Sequence, residues 1–138
     1  MPLDKNLIQG KIDIIDKNIE FLIEYHKTTP KEFLNSYKDI QAVKYSLFEA
    51  IEACIDIASH IIAMKGYERA ESYSDMFEIL GRKKVINSEL TEKLSNMAKF
   101  RNLLVHSYAK VDNLKVLDYV KKELNDIKSF IKVILDLI

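Results

Sequence analysis

Ile40-Gln41-Ala42-Val43-Lys44-Tyr45-Ser46-Leu47-Phe48-Glu49-Ala50-Ile51-Glu52-Ala53-Cys54-Ile55-Asp56-Ile57-Ala58-Ser59-His60-Ile61-Ile62-Ala63-Met64-Lys65-Gly66 decides the fold class. Its apolar residues Ile40, Val43, Leu47, Ile51, Ile55, Ala58 and Ile62 recur at three- and four-residue steps, which puts them on one face of an α-helix. Gly66 can take the left-handed conformation that closes such a helix. Upstream, Thr29 followed by Pro30 and Glu32 forms a capping-box pattern, with proline at the first helical position where its missing N–H costs nothing. The reading is therefore a helix from Pro30 to Lys65, with a break near Asn35-Ser36.

The same period extends outward in both directions. Leu7, Ile8, Ile12, Ile15, Ile19, Leu22 and Ile23 predict a first helix from Leu3 to Tyr25. A short helix is expected from Ser74 to Leu80, stopped by Gly81, followed by a basic loop Arg82-Lys83-Lys84. Asn87 caps a further helix from Ser88 to Ser107, and Asp112 opens a last one whose Leu114, Leu117, Leu124, Ile127, Ile131, Ile134 or Leu135, and Ile138 keep nearly heptad spacing. Only three glycines and two prolines interrupt the chain, and alternating strand-like segments are missing. The expected class is all-α: an up-and-down four-helix bundle with an additional short helix in a crossover.

At 138 residues and 48% hydrophobic composition the chain has the size of one domain, residues 1–138, with a core of its own. Lys+Arg 21 balance Asp+Glu 21, so bulk charge draws it to neither polyanions nor anionic membranes. Any nucleic-acid contact must be local, with Lys99, Lys110, Arg69 and the Arg82-Lys83-Lys84 loop as candidates that otherwise read as solvated surface. Cys54 has no internal partner and sits among Ala53, Ile55 and Ile57, which suits core filling. Met1-Pro2-Leu3-Asp4-Lys5 lacks a basic region followed by an apolar run, and no segment approaches the roughly 20 apolar residues of a membrane span. A cytoplasmic protein without membrane contact is expected.

One helix breaks its own pattern. The core stripe of the Ser88 helix runs Leu90, Leu94, Met97, position 101, then Leu104 or Val105, and position 101 is Arg. A guanidinium on a core-facing stripe requires an anion. Asn102 and His106 are four apart on one face, and Arg101 and Tyr108 seven apart on another, so at 100° per residue the four span roughly 160° of the helix. A cation, an imidazole titrating near neutrality, an amide and a phenol suit phosphodiester chemistry without a metal or other cofactor: His106 to move protons, Arg101 to hold phosphate charge, Asn102 and Tyr108 to orient groups. The opposing reading is that Arg101 salt-bridges Glu52 or Asp56, with His106 and Tyr108 as ordinary helix-end residues. Both stay open on spacing alone. His26 and His60 have no metal-ligand spacing with each other or with Cys54 and read as structural.

The spacing Arg101-x4-His106-x-Tyr108, with Asn102 directly after Arg101, resembles the signature of the HEPN superfamily, specifically its HepT-like toxin branch. Glu49 to His60, Tyr73-Ser74-Asp75-Met76-Phe77 and Met97-Ala98-Lys99-Phe100-Arg101-Asn102 resemble further segments of that branch, so the likeness covers roughly Val43 to Asp112. The resemblance implies a HEPN-like helical bundle that forms a homodimer with two motifs facing one cleft, and metal-independent RNA cleavage with Arg101 and His106 catalytic and Asn102 supporting. It also implies a partner, a minimal nucleotidyltransferase antitoxin of the MntA type, bound in a hetero-oligomer and adding AMP to Tyr108. The alternative from another class is a non-catalytic module that presents nucleotide or substrate to a nucleotidyltransferase; a third is a structural adaptor in which Arg101 is only an interhelical ion pair.

Overall fold

The computed structural model describes residues 1–106 and 112–138, together with the backbone but not the side chains of Leu103 and His106. Among the described residues every regular element is an α-helix: α1 (Lys5–Ile23), α2 (Pro30–Leu34), α3 (Tyr37–Lys65), α4 (Tyr73–Arg82), α5 (Ser88–His106), α6 (Asn113–Lys122) and α7 (Leu124–Leu137). The all-α expectation stands.

Local chemistry explains most boundaries. The Asp4 side chain accepts the Leu7 N–H, so α1 begins at Lys5 rather than Leu3. Thr29 and Glu32 complete the capping box, and the expected break at Asn35-Ser36 separates α2 from α3, whose first turn Ser36 caps. Gly66 closes α3 at φ 66°, the left-handed conformation its sequence position suggested. Asn87 caps α5 through the Leu90 N–H.

α3 is the centre. Its 29 residues extend about 44 Å, and Ile40, Val43, Leu47, Ile51, Ile55, Ala58 and Ile62 are all buried. α1 packs along it antiparallel, because the Met1 amino group donates to the Met64 carbonyl, Asp4 meets His60, Lys11 meets Asp56 and Asn18 meets Glu49, each pair one step further down the two helices. Ile8, Ile12, Ile15, Ile19 and Leu22 fill that seam, whereas Leu7 and Ile23 at its edge face solvent. α4 and α5 pack together on another side of α3, and α7 lies against α5.

Two expectations require correction. Gly81 does not stop the short helix, which runs from Tyr73 to Arg82 with Ser72 as its cap. Glycine is there for a close approach: a Cβ on Gly81 would lie 2.3 Å from Thr91 Oγ1 on α5. The last helix is not continuous. It breaks at Glu123 (φ −113°, ψ −1°), so that α6 packs on α2, α3 and α1 while α7 turns onto α5. A straight rod could not have buried Val116, Leu117 and Val120 on one neighbour and Ile127, Phe130 and Ile134 on another.

Candidate active site

Arg101 occupies the stripe position its spacing indicated. Leu94 and Met97 before it are fully buried, Leu104 after it is buried, and its own side chain is 12% exposed. It lies where α3, α4 and α5 meet. From α3, Glu52 Oε1 accepts from both Nε and Nη2 of Arg101. The ring of Phe48, one turn earlier on α3, lies 5.3 Å from the guanidinium carbon, and the ring of Tyr73 on α4 lies 4.8 Å from it. Charge, hydrogen bonds and two aromatic faces together offset the desolvation of the cation.

Of the two carboxylates that spacing left open, Glu52 is the partner. Asp56, one turn further along α3, is held by Lys11 Nζ of α1 at 2.9 Å. Phe48 and Glu52 are four apart on α3 and so share a face, the signal by which Phe48 could have been found; Tyr73 carried no spacing signal, because its contact depends on how α4 crosses α5.

Asn102 lies beside the cation, and its Oδ1 accepts from Arg101 Nη1 at 3.3 Å. The Nε/Nη2 edge of the guanidinium is thus taken by Glu52, and Nη1 is shared with Asn102. Two hollows flank this centre. One, about 370 Å3, is lined by Ala70, Glu71, Ser72, Tyr73, Met76 and Asn102. The other, about 290 Å3, is lined by Gln41, Lys44, Tyr45, Phe48, Leu104 and Val105. His106 is the last described residue of α5, four positions after Asn102. Tyr108, Ser107 and Lys110 lie outside the described residues.

The other candidates separate clearly. Lys99 and Arg69 are exposed. Arg82 and Lys83 both approach Glu68 at 3.7 Å, and Lys83 also covers the Tyr67 ring, so two cations of the expected basic loop are already partnered. His60 Nε2 accepts the Asp4 N–H at 3.0 Å, which ties the start of α1 to α3. Cys54 is fully buried, and burial pushes its thiol well above the usual range, away from nucleophilic use.

A protein-family model described as ribonuclease HepT-like matches residues 15–134. This chain belongs to the HepT-like family. It is 32% identical over 103 residues to the mRNA nuclease HepT of Shewanella oneidensis, covering 75% of this chain and 77% of that one. It is 24% identical over 107 residues to the tRNA nuclease HepT of Aphanizomenon flos-aquae, covering 77% of this chain and 72% of that one. Among solved structures, the tri-AMPylated Shewanella oneidensis HEPN toxin in complex with MNT antitoxin superposes with a TM-score of 0.87 at 28% identity, covering 96% of this chain and 99% of that one. The HEPN-like fold expected from the motif is therefore the fold observed. No helix among the described residues of this HepT-like chain is long and apolar enough to cross a membrane.

Proposed function

We propose that this chain is the toxin of a toxin–antitoxin pair: an endoribonuclease that works without a metal through Arg101 and His106, with Asn102 supporting, and that is silenced when a minimal nucleotidyltransferase antitoxin adds AMP to Tyr108. Family membership makes RNA cleavage its activity class, and the relative solved as an AMPylated toxin with its antitoxin supports the partner. The observation that carries the site is the placement of Arg101, a cation oriented by Glu52 and two rings, next to Asn102 on the helix that ends in His106.

The chemistry follows from those groups. With one guanidinium edge on Glu52, the Nη1/Nη2 end is the part that can hold a phosphate oxygen and stabilise the charge that develops on it. In a homodimer with two motifs facing one cleft, His106 accepts the proton of the ribose 2′-OH as that oxygen attacks phosphorus. The partner subunit's His106 then gives a proton to the 5′-oxygen as the P–O bond breaks. The products are a 2′,3′-cyclic phosphate and a free 5′-hydroxyl. One imidazole must be neutral and one protonated, so activity peaks at a pH of about 6 to 7. AMP on Tyr108, two positions after His106, brings a phosphate anion that competes with RNA for Arg101.

The Arg101–Glu52 pair also favours a second reading, in which Arg101 only joins α5 to α3. His106 distinguishes the two. His106→Ala is expected to abolish cleavage of RNA by the purified protein while leaving its circular dichroism and antitoxin binding unchanged; cleavage undiminished in that variant refutes the catalytic assignment.

A further inference from the structure

The hollow of about 370 Å3 between the start of α4 and α5 has no part in the phosphate chemistry above, yet it opens beside Arg101. Its floor is built from groups that suit a flat aromatic ligand. Tyr73 covers the Arg101 guanidinium at 4.8 Å and also lines the hollow. Met76, one turn on, adds a polarisable thioether. The wall before α4 is held in place: Ser72 Oγ accepts the Asp75 N–H at 3.0 Å, and Asp75 Oδ2 accepts the Glu71 N–H at 2.9 Å.

The polar groups are placed as well. Because Asn102 Oδ1 accepts from Arg101 Nη1, the amide is oriented, and its Nδ2 donor has no partner among the described residues. The oxygen keeps a second lone pair. The charged side chain on the lining is Glu71, an exposed carboxylate that only accepts. The carboxylate attracts exocyclic amino groups and repels carbonyl oxygens, and the Asn102 Nδ2 donor can meet the unprotonated ring nitrogen beside such an amino group. The volume lies at the small end of ligand sites and suits one base of a single strand.

We infer that this hollow is a base-recognition pocket: it takes the nucleobase adjoining the phosphate held at Arg101, packs it on Tyr73 and Met76, and selects adenine or cytosine over uracil through Asn102 and Glu71. The inference rests on the reading of Arg101 as the phosphate-binding group. Base contact makes Asn102 more than a support for the cation, and it assigns a recognition role to Glu71 and Met76, neither of which takes part in the proposed proton transfer or phosphate binding.

The test maps cleavage positions in an RNA of random sequence for wild type, Glu71→Gln and Met76→Trp, and titrates wild type with adenosine 5′-monophosphate and uridine 5′-monophosphate while following backbone amide resonances. One flanking position is expected to favour adenine or cytosine over uracil by about tenfold, the range of one good amide–base contact. The preference should fall below about threefold when Trp fills the hollow or when the carboxylate is neutralised. Adenosine monophosphate should shift the amides of Ser72, Met76 and Asn102 more than uridine monophosphate does. Cleavage without base preference, a preference unchanged in both variants, or no shift at those amides overturns the pocket. Absence of RNA cleavage by wild type together with adenosine-selective shifts would overturn the proposed activity and leave the pocket standing.

Discussion

Leucine substitutions of Arg101 and Glu52, singly and together, separate the energetic role of this pair from its chemical one. Removing one member of a fully buried ion pair costs about 3 to 5 kcal/mol, because the other is left buried and unpaired. Here Arg101 is 12% exposed and Glu52 30% exposed, so part of the abandoned charge is rehydrated and each single change should cost about 2 kcal/mol. Arg101→Leu also loses the contacts with Phe48 and Tyr73, which a leucine side chain partly replaces by packing. In the double variant no charge is stranded, and apolar replacement of a whole pair is often close to neutral, so its loss should be about 1 kcal/mol rather than the roughly 4 kcal/mol of independent changes. Urea unfolding reads this directly: at an m-value of about 2 kcal/mol/M, each single change lowers the midpoint by about 1 M and the double by about half that. Activity should behave oppositely, with RNA cleavage absent in Arg101→Leu and unrestored in the double variant. A double variant whose loss equals the sum of the singles refutes the pairing argument, and recovered cleavage in it refutes the role of the cation.

Three further outcomes are expected. Gly81→Ala should destabilise the fold by about 2 kcal/mol, although alanine is the better helix former by about 1 kcal/mol, because the new methyl meets Thr91 Oγ1 at 2.3 Å and Cγ2 at 2.8 Å; Thr91→Ala should recover most of the loss in thermal melts. Asp126 is pushed up to about 6, first by burial and then by its hydrogen bond and like charge with Glu123. Its raised value means the folded state holds a proton that the unfolded chain has released, so wild-type stability should fall as pH rises from about 4 to about 6 and stay lower above that. Asp126→Asn should remove that fall and be about 1 kcal/mol more stable at pH 7, the nominal effect being reduced by solvent screening of a carboxylate that is only partly buried; a fall of equal size in the variant contradicts this. Intact-protein mass spectrometry after incubation with a cognate nucleotidyltransferase and ATP should show added AMP masses that vanish in Tyr108→Phe.

Much of the architecture was legible because burying one face of a helix forces a period on the sequence. The α1, α3 and α5 stripes could be read residue by residue, as could the caps at Thr29 and Asn87 and the break at Asn35-Ser36, which act within one turn of their own residues. The site announced itself in the same way, through a charge at position 101 where the period calls for an apolar side chain. The break at Glu123 gave no such sign, since neither glycine nor proline marks it. Gly81 gave a misleading one: glycine is frequent just past helix ends, but here it serves contact between helices.

The sequence alone thus determined most of the helices, their buried faces and the need of Arg101 for an anion, all of which depend on neighbours within a few residues. Which anion it meets, and what surrounds it, were decided only by the tertiary structure. Glu52 and Asp56 are equivalent one turn apart on α3, and it is the antiparallel register of α1, bringing Lys11 to Asp56, that reserves Glu52 for Arg101. The crossing of α4 adds Tyr73 and opens the hollow beside Asn102. Register and crossing are settled by packing across the whole core, and no local window of sequence contains them.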